Sequence, residues 1–340
     1  MNETDKRILW TLAAGAGAWA AFRAISARAR AYDLSGRVVL ITGGSRGLGL
    51  LLAREFGERG AKLAICARDA EELKRAQLDL ERRGNEVIAF ATDVTVQSEV
   101  ANLIDQVVEC YGHIDVLINN AGIVQVGPVD TMTVDDYERA MRVHFWAPLF
   151  TTMAVLPVMR RHRHGRIVNI SSIGGKIPVP HMLPYVASKF ALSGFSEGLR
   201  LELAKEGILV TTAYPGLMRT GSTGNAEVKG DVRSEYTMFS IMGSLPVTSM
   251  NAKYAARKIT DACQRGQAEV VLSPQAQLGE RLHALAPGLT LEALALANHF
   301  MPDAGSADTH SIKGKDIRTP VSASWVTALN RQAAKETNQN

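Results

Sequence analysis

Tyr185 is followed four residues later by Lys189, and Ser172 stands thirteen residues ahead of the tyrosine. This arrangement would gather a phenol, an ammonium and a hydroxyl around one point. On a helix, positions i and i+4 share a face, so the ammonium would lie beside the phenol. A neighbouring positive charge favours the phenolate and would hold its pKa below the ordinary value of about 10. Such a phenol can trade a proton with an alcohol or a ketone near neutral pH.

A second group of residues has the form of a phosphate cradle. Thr42-Gly43-Gly44-Ser45-Arg46-Gly47-Leu48-Gly49 follows a β-branched run and leads into an apolar-periodic stretch. Glycines at 43, 47 and 49 permit a tight turn, and the start of the following helix offers free N–H groups to a pyrophosphate. After the second apolar run the chain reads Cys66-Ala67-Arg68, where an NAD-preferring protein would place a carboxylate for the ribose 2′-hydroxyl. Arg68 and Arg46 suit a 2′-phosphate instead, so the expected cofactor is NADP(H).

These residues need a scaffold. From Leu34 onward, short β-branched runs alternate with amphipathic stretches, the pattern of βαβ units and a parallel sheet. Strands are expected at 37–41, 62–66, 87–91, 114–118, 166–170, 209–213 and 269–272. Helices are expected near 47–59, 69–83, 96–111, 133–160, 184–205 and 251–264. The fold class is α/β, a Rossmann-like, doubly wound, seven-stranded parallel sheet with its ligand crevice at the carboxyl ends of the strands. Residues 217–250 break the alternation with Met218, Met238, Phe239, Met242 and Met250. They read either as a lid over an apolar substrate or as a packed connecting helix.

With these motifs in order, the chain resembles the short-chain dehydrogenase/reductase family over about Leu34 to Leu272. The resemblance rests on the glycine loop, on Asp93-Val94, on Asn119-Asn120-Ala121-Gly122, on Ser172, Tyr185 and Lys189, and on Pro215-Gly216 followed by Thr220. It implies that Asp93 and Val94 line the adenine and that Asn120, Ala121 and Gly122 shape the cofactor bed. Thr220 would hold the nicotinamide carboxamide. It implies Tyr185 as general acid or base, Lys189 on the nicotinamide ribose, and Ser172 on the substrate oxygen. Ser171 competes for the serine role, and the spacing to Tyr185 favours Ser172. Where many members carry an Asn that supports a water chain to the lysine, this chain has His144, which could hold a water, pass a proton or simply pack in the core.

The remaining sequence sets the frame. A chain of 340 residues reads as three parts: 1–33, an apolar arm or membrane anchor; 34–272, the catalytic domain; and 273–340, a helical extension with a weakly ordered polar tail from about 301. Residues 8–25 form an apolar stretch at the lower edge of a membrane span, with a catalytic domain facing the cytoplasm if it inserts. Hydrophobic content of 46% supports a sizeable core, and a net charge of +4 without long basic runs argues against nucleic acid. Three separated cysteines indicate neither a disulfide framework nor a metal cluster and fit a reducing, cytoplasmic compartment. The expected activity is NADP(H)-dependent interconversion of an alcohol with a ketone or aldehyde on an apolar, lipid-like substrate. The alternative is an NADP(H)-binding sensor or scaffold with reduced catalysis. The resemblance also implies a homo-oligomer built on the helices at 133–160 and 184–205.

Overall fold

The computed structural model describes residues 32–339 apart from 306, 307, 322, 323, 325 and 326, with a few isolated positions nearer the N-terminus. The expected anchor over residues 8–25 lies largely outside the described residues. Among the described residues, no helix is long and apolar enough to cross a membrane.

Seven parallel strands form the central sheet: β1 (Val38–Thr42), β2 (Lys62–Ala67), β3 (Val87–Ala91), β4 (Val116–Asn119), β5 (Gly165–Ile170), β6 (Ile208–Tyr214) and β7 (Glu269–Val271). Their spatial order is β7-β6-β5-β4-β1-β2-β3. The helices are α1 (Gly47–Glu58), α2 (Ala70–Arg82), α3 (Gln97–Tyr111), α4 (Val134–Met141), α5 (Ala147–His162), α6 (Leu183–Leu203), α7 (Val232–Ser244), α8 (Ala252–Gln264), α9 (Pro274–Leu285), α10 (Pro287–Asn298) and α11 (Ala328–Glu336). The Rossmann-like α/β fold read from the sequence is the one observed.

Strand β1 shows how the layers form. Val39 and Ile41 join the apolar layer beneath α1, α2 and α8, while Val38 and Leu40 join the layer beneath α3 and α5. Side chains alternate across a pleated strand, so a strand covered by helices on both faces is buried throughout, as Val38–Thr42 is. The α1 face contributes Leu50, Leu51, Leu52 and Phe56, each nearly or wholly buried. Burying a side chain of this size stabilises the fold by roughly 1.5–3 kcal/mol.

Strand order reverses between β1 and β4, which are neighbours in the sheet, with Ile41 opposite Ile118. A gap at the carboxyl ends of two such strands is where this architecture takes its ligand. The glycine loop leaves β1 there, and the segment Asn120–Gly122 leaves β4.

Two stretches differ from expectation. The helix expected over 133–160 is divided into α4 and α5 by a π-helical turn at Arg142–Trp146, which carries the buried His144. The extra residue in such a turn re-aims its side chains, and these turns gather at functional sites. The polar tail, expected to be weakly ordered, folds back onto the domain as α11 and residues 337–339. Its contacts include side-chain hydrogen bonds to residues more than a hundred positions away.

Candidate functional site

The glycine loop and the segment after β4 are tied together by side-chain bonds. The Thr42 hydroxyl accepts from the backbone N–H of Asn120 at 3.0 Å and of Ala121 at 3.1 Å. Asn120 Nδ2 donates to the carbonyls of Thr42 and Gly43 at 3.0 and 3.1 Å. The loop has no room for larger residues. A Cβ on Gly49 would overlap the Gly43 carbonyl oxygen and lie 2.6 Å from Asn120 Nδ2, and Gly43 adopts φ +64°, which favours glycine. Helix α1 begins at Gly47 with no side chain capping its N-terminus and no acid in its first turn. An uncapped helix start of this kind suits an anion.

Opposite the loop stands the chemical end of the cleft. Ser172 lies just beyond β5, and Tyr185 and Lys189 sit in the first turns of α6. Lys189 is buried, and its Nζ donates to the Ile170 carbonyl at 2.8 Å. Gly174 marks how closely the other two approach: a Cβ there would lie 3.4 Å from the Tyr185 ring and 3.5 Å from Ser172 Oγ. The serine ambiguity has a geometric answer. Ser171 Oγ donates to the Lys189 carbonyl at 3.1 Å and bonds Ser193 at 2.9 Å, so it fastens α6 to the sheet. Ser172 Oγ accepts from Gly174 N–H and faces the tyrosine.

Electrostatics depart from the sequence expectation of a lowered phenol pKa. Burial pushes the Tyr185 phenol up, with the Ser172 hydroxyl pulling the other way. Burial also lowers the Lys189 ammonium to about 7. The Lys189 nitrogen lies 5.7 Å from the Tyr185 ring centroid and bonds a backbone carbonyl. Desolvation of both groups therefore outweighs the attraction that their i, i+4 spacing provides.

His144 is fully engaged. Its Nε2 lies 3.1 Å from the Ile123 backbone nitrogen and its Nδ1 2.7 Å from Ser188 Oγ. A backbone N–H can only donate, so Nε2 is the acceptor and the proton of the neutral ring sits on Nδ1. Ser188 then accepts from the imidazole and donates to the Tyr185 carbonyl at 2.8 Å. Burial holds the ring's pKa well below the ordinary value, and Lys189 adds to that. Of the three roles left open by the sequence, this geometry fits a buried brace.

The catalytic and cofactor-binding candidates named from the sequence line one cleft of about 750 Å³. At the loop end are Gly43, Ser45, Arg46, Gly47, Leu48 and Gly49, and at the chemical end Ser172, Tyr185 and Lys189. Arg68, Asp93, Val94, Asn120, Ala121, Gly122, Pro215, Gly216 and Thr220 line the wall between. A family profile described as short chain dehydrogenase matches residues 37–229. The chain belongs to the short-chain dehydrogenase family. Bovine dehydrogenase/reductase SDR family member 7B is 33% identical over 300 residues, covering 86% of this chain and 90% of that protein. A metagenomic short-chain oxidoreductase in complex with NADP is 29% identical, with a TM-score of 0.57, covering 71% of this chain and 99% of the other. An NAD⁺-bound xylitol dehydrogenase is 25% identical, with a TM-score of 0.62, covering 71% and 98%. The short-chain dehydrogenase fold binds a nicotinamide cofactor, and the family is one of oxidoreductases.

Several cleft residues carried no signal in the sequence. Glu72, in the first turn of α2, pairs with Arg46 at 2.7 Å and accepts from Ser45 Oγ at 3.3 Å. Lys313, Lys315 and Gln339 reach the cleft from the C-terminal extension. Of the methionines singled out in residues 217–250, Met218 alone lines this cleft. Met238 and Met242 line a second groove with Phe300 and Met301, while Tyr236 and Phe239 pack inward from α7.

Proposed function

We propose that this short-chain dehydrogenase interconverts an alcohol with a ketone or aldehyde, using NADP(H). The observation that carries the reading is the joint placement of Ser172, Tyr185 and Lys189 at one end of a cleft whose other end is the glycine loop. The N–H groups at the start of α1 would meet the pyrophosphate, with Asp93 and Val94 toward the adenine and Thr220 toward the carboxamide. The cradle fits such a group because Gly43 and Gly49 let the loop pack closely against the segment after β4, and the helix start beside it has no side-chain cap and no acid in its first turn. The nicotinamide supplies or accepts the hydride.

The protein's part is proton transfer and positioning. Tyr185 gives its phenolic proton to the carbonyl oxygen during reduction and removes it from the alcohol during oxidation. Ser172 orients that oxygen, and Lys189 would hold the cofactor ribose. Arg46 and Arg68 favour the 2′-phosphate of NADP(H) through charge-assisted bonds. Glu72 opposes this, since Arg46 must leave it to reach a phosphate. Ile123, Val124, Val143 and Met218 give the chemical end apolar walls, which supports an apolar, lipid-like substrate. Exposed Trp146 and Met153 near and on α5, with Phe190 on α6, support a homo-oligomer through these helices.

Loss of NADPH absorbance over ketones and aldehydes of rising chain length, with NADH in parallel, tests the reading. Turnover with NADPH that Tyr185→Phe abolishes is the expected result. Binding of NADPH with no turnover on any carbonyl would overturn it.

A further inference from the structure

The glycine loop already has an intramolecular partner. The Gly47 backbone N–H, at the start of α1 where no side chain caps the helix, donates to the Thr337 carbonyl at 2.9 Å. Asn338 Nδ2 donates to the carbonyls of Ser45 and Glu72, both at 2.9 Å, and Asn338 Oδ1 accepts from Arg75 at 3.0 Å. Asn338 holds φ +56°, a left-handed conformation that asparagine tolerates better than most residues. A Cβ on Gly47 would lie 2.7 Å from the Gln339 amide nitrogen, so the tail fills the space that this glycine leaves open.

The same segment grips the opposite wall of the cleft. Thr337 Oγ1 donates to the Thr220 carbonyl at 2.7 Å, and Gln339 Oε1 accepts from Asn225 at 2.6 Å. Buried Asn330 on α11 accepts from the Gly221 N–H at 2.8 Å and donates to Thr223 Oγ1 at 2.9 Å. Residues 337–339 therefore run from the loop after β1 to the segment after β6.

We propose that the C-terminal segment is an intramolecular competitor of the dinucleotide for the glycine loop, so that cofactor binding requires residues 337–339 to leave it. The inference rests on the cofactor reading above. A helix N-terminus bonds a phosphate oxygen more strongly than a neutral peptide carbonyl, because the acceptor is charged and the dipole favours an anion. The dinucleotide therefore wins the exchange. Its apparent affinity is reduced by the fraction of molecules in which the loop is covered. Whatever draws the tail away, such as a partner that binds α11, would raise cofactor affinity in proportion.

The test compares three proteins by fluorescence titration with NADPH: the full chain, a chain ending at Thr327, and full-length Asn338→Ala. Asn338→Ala removes three bonds and no part of the domain, so it serves where the truncated chain fails to fold. Thermal melts establish which proteins are folded. The expected result is a dissociation constant lower by about threefold to tenfold in Asn338→Ala and by more in the truncated chain. A synthetic peptide of residues 328–340 should raise the constant of the truncated chain again. Unchanged or weaker binding in the folded variants would overturn the proposal, the latter showing that the tail helps to hold the cofactor. Folded proteins that bind neither NADPH nor NADH would sink the cofactor reading and this proposal together.

Discussion

His144 and Tyr185 meet edge to face, with ring centroids 5.2 Å apart and planes at 84°. The contact joins the π-helical turn between α4 and α5 to the first turn of α6. It is reinforced by the route from His144 Nδ1 through Ser188 to the Tyr185 backbone carbonyl. Nε2 accepts from a backbone N–H that does not give up its proton, which favours a brace over a proton carrier.

His144→Ala should therefore cost stability as well as rate. It leaves the Ile123 N–H without its acceptor and empties a wholly buried site, losses together worth about 2–4 kcal/mol. His144→Asn should recover part of this, because an amide oxygen can accept from the same N–H. The pH profile of turnover between pH 6 and 9 should keep its shape in His144→Asn, since a ring held well below its ordinary pKa stays neutral throughout. Loss of one limb of the profile would show that the imidazole carries protons. Thermal melts and steady-state rates on the same samples give both answers.

Tyr185→Phe should keep dinucleotide affinity within about threefold while turnover falls by 10²–10⁴, the usual contribution of a placed general acid or base. Titration by nucleotide fluorescence separates the two quantities. A variant that still turned over at more than a tenth of the parent rate would remove the tyrosine from the chemistry.

Gly49→Ala probes the cradle itself. The new methyl would overlap the Gly43 carbonyl and press on Asn120, and overpacking of this sort costs roughly 1–3 kcal/mol. Relief must come from opening the seam between the loop after β1 and the segment after β4. Dinucleotide affinity should fall at least tenfold, whereas Gly84→Ala, with open space around it but a positive φ, should affect stability alone.

Much of this arrangement was legible from residue types alone. The short β-branched runs such as Val38–Thr42 located the seven strands to within about two residues, because a sheet covered on both faces demands continuous apolar runs. The glycines at 43 and 49 likewise announced a close backbone approach. The raised pKa of Tyr185 was not legible, since burial depends on what packs around α6 rather than on the Tyr–Lys spacing. Nor was the π-helical turn, as one extra residue leaves apolar periodicity almost unchanged. The docking of Asn338 lay furthest from view. Its bonds run to the backbone of Ser45 and Glu72, and backbone acceptors leave no mark in a sequence.

Cofactor choice should turn on Arg46 and Glu72. Removing the guanidinium in Arg46→Ala takes away a charge-assisted bond worth about 1.5–3 kcal/mol, so NADPH should bind roughly tenfold to a hundredfold more weakly while NADH changes little. Glu72→Gln should act in the opposite direction, freeing Arg46 and improving NADPH alone. Equal effects on the two dinucleotides would place Arg46 at the pyrophosphate instead of the 2′-phosphate.

Helix α7 carries a pH-dependent contact. Glu235 is buried with its Oε1 2.5 Å from His181 Nδ1, while Oε2 has no hydrogen-bond partner. Burial pushes the carboxyl up to about 8, with Asp231 adding to the effect, and burial lowers the His181 imidazole. A carboxyl whose folded pKa exceeds its unfolded value contributes stability fully below about 4.5 and loses it as pH rises through about 8. Stability should therefore fall across pH 5 to 8 in the parent protein. Glu235→Gln keeps the shape and removes the titration, so subtracting one melting curve from the other cancels every other group. The difference in Tm, variant minus parent, should grow by at least about 2–4 °C between pH 5 and pH 8, the change that each 1 kcal/mol brings in a domain of this size. A difference that stays flat would mean that the pair is an ion pair at neutral pH, with His181 protonated and Glu235 charged.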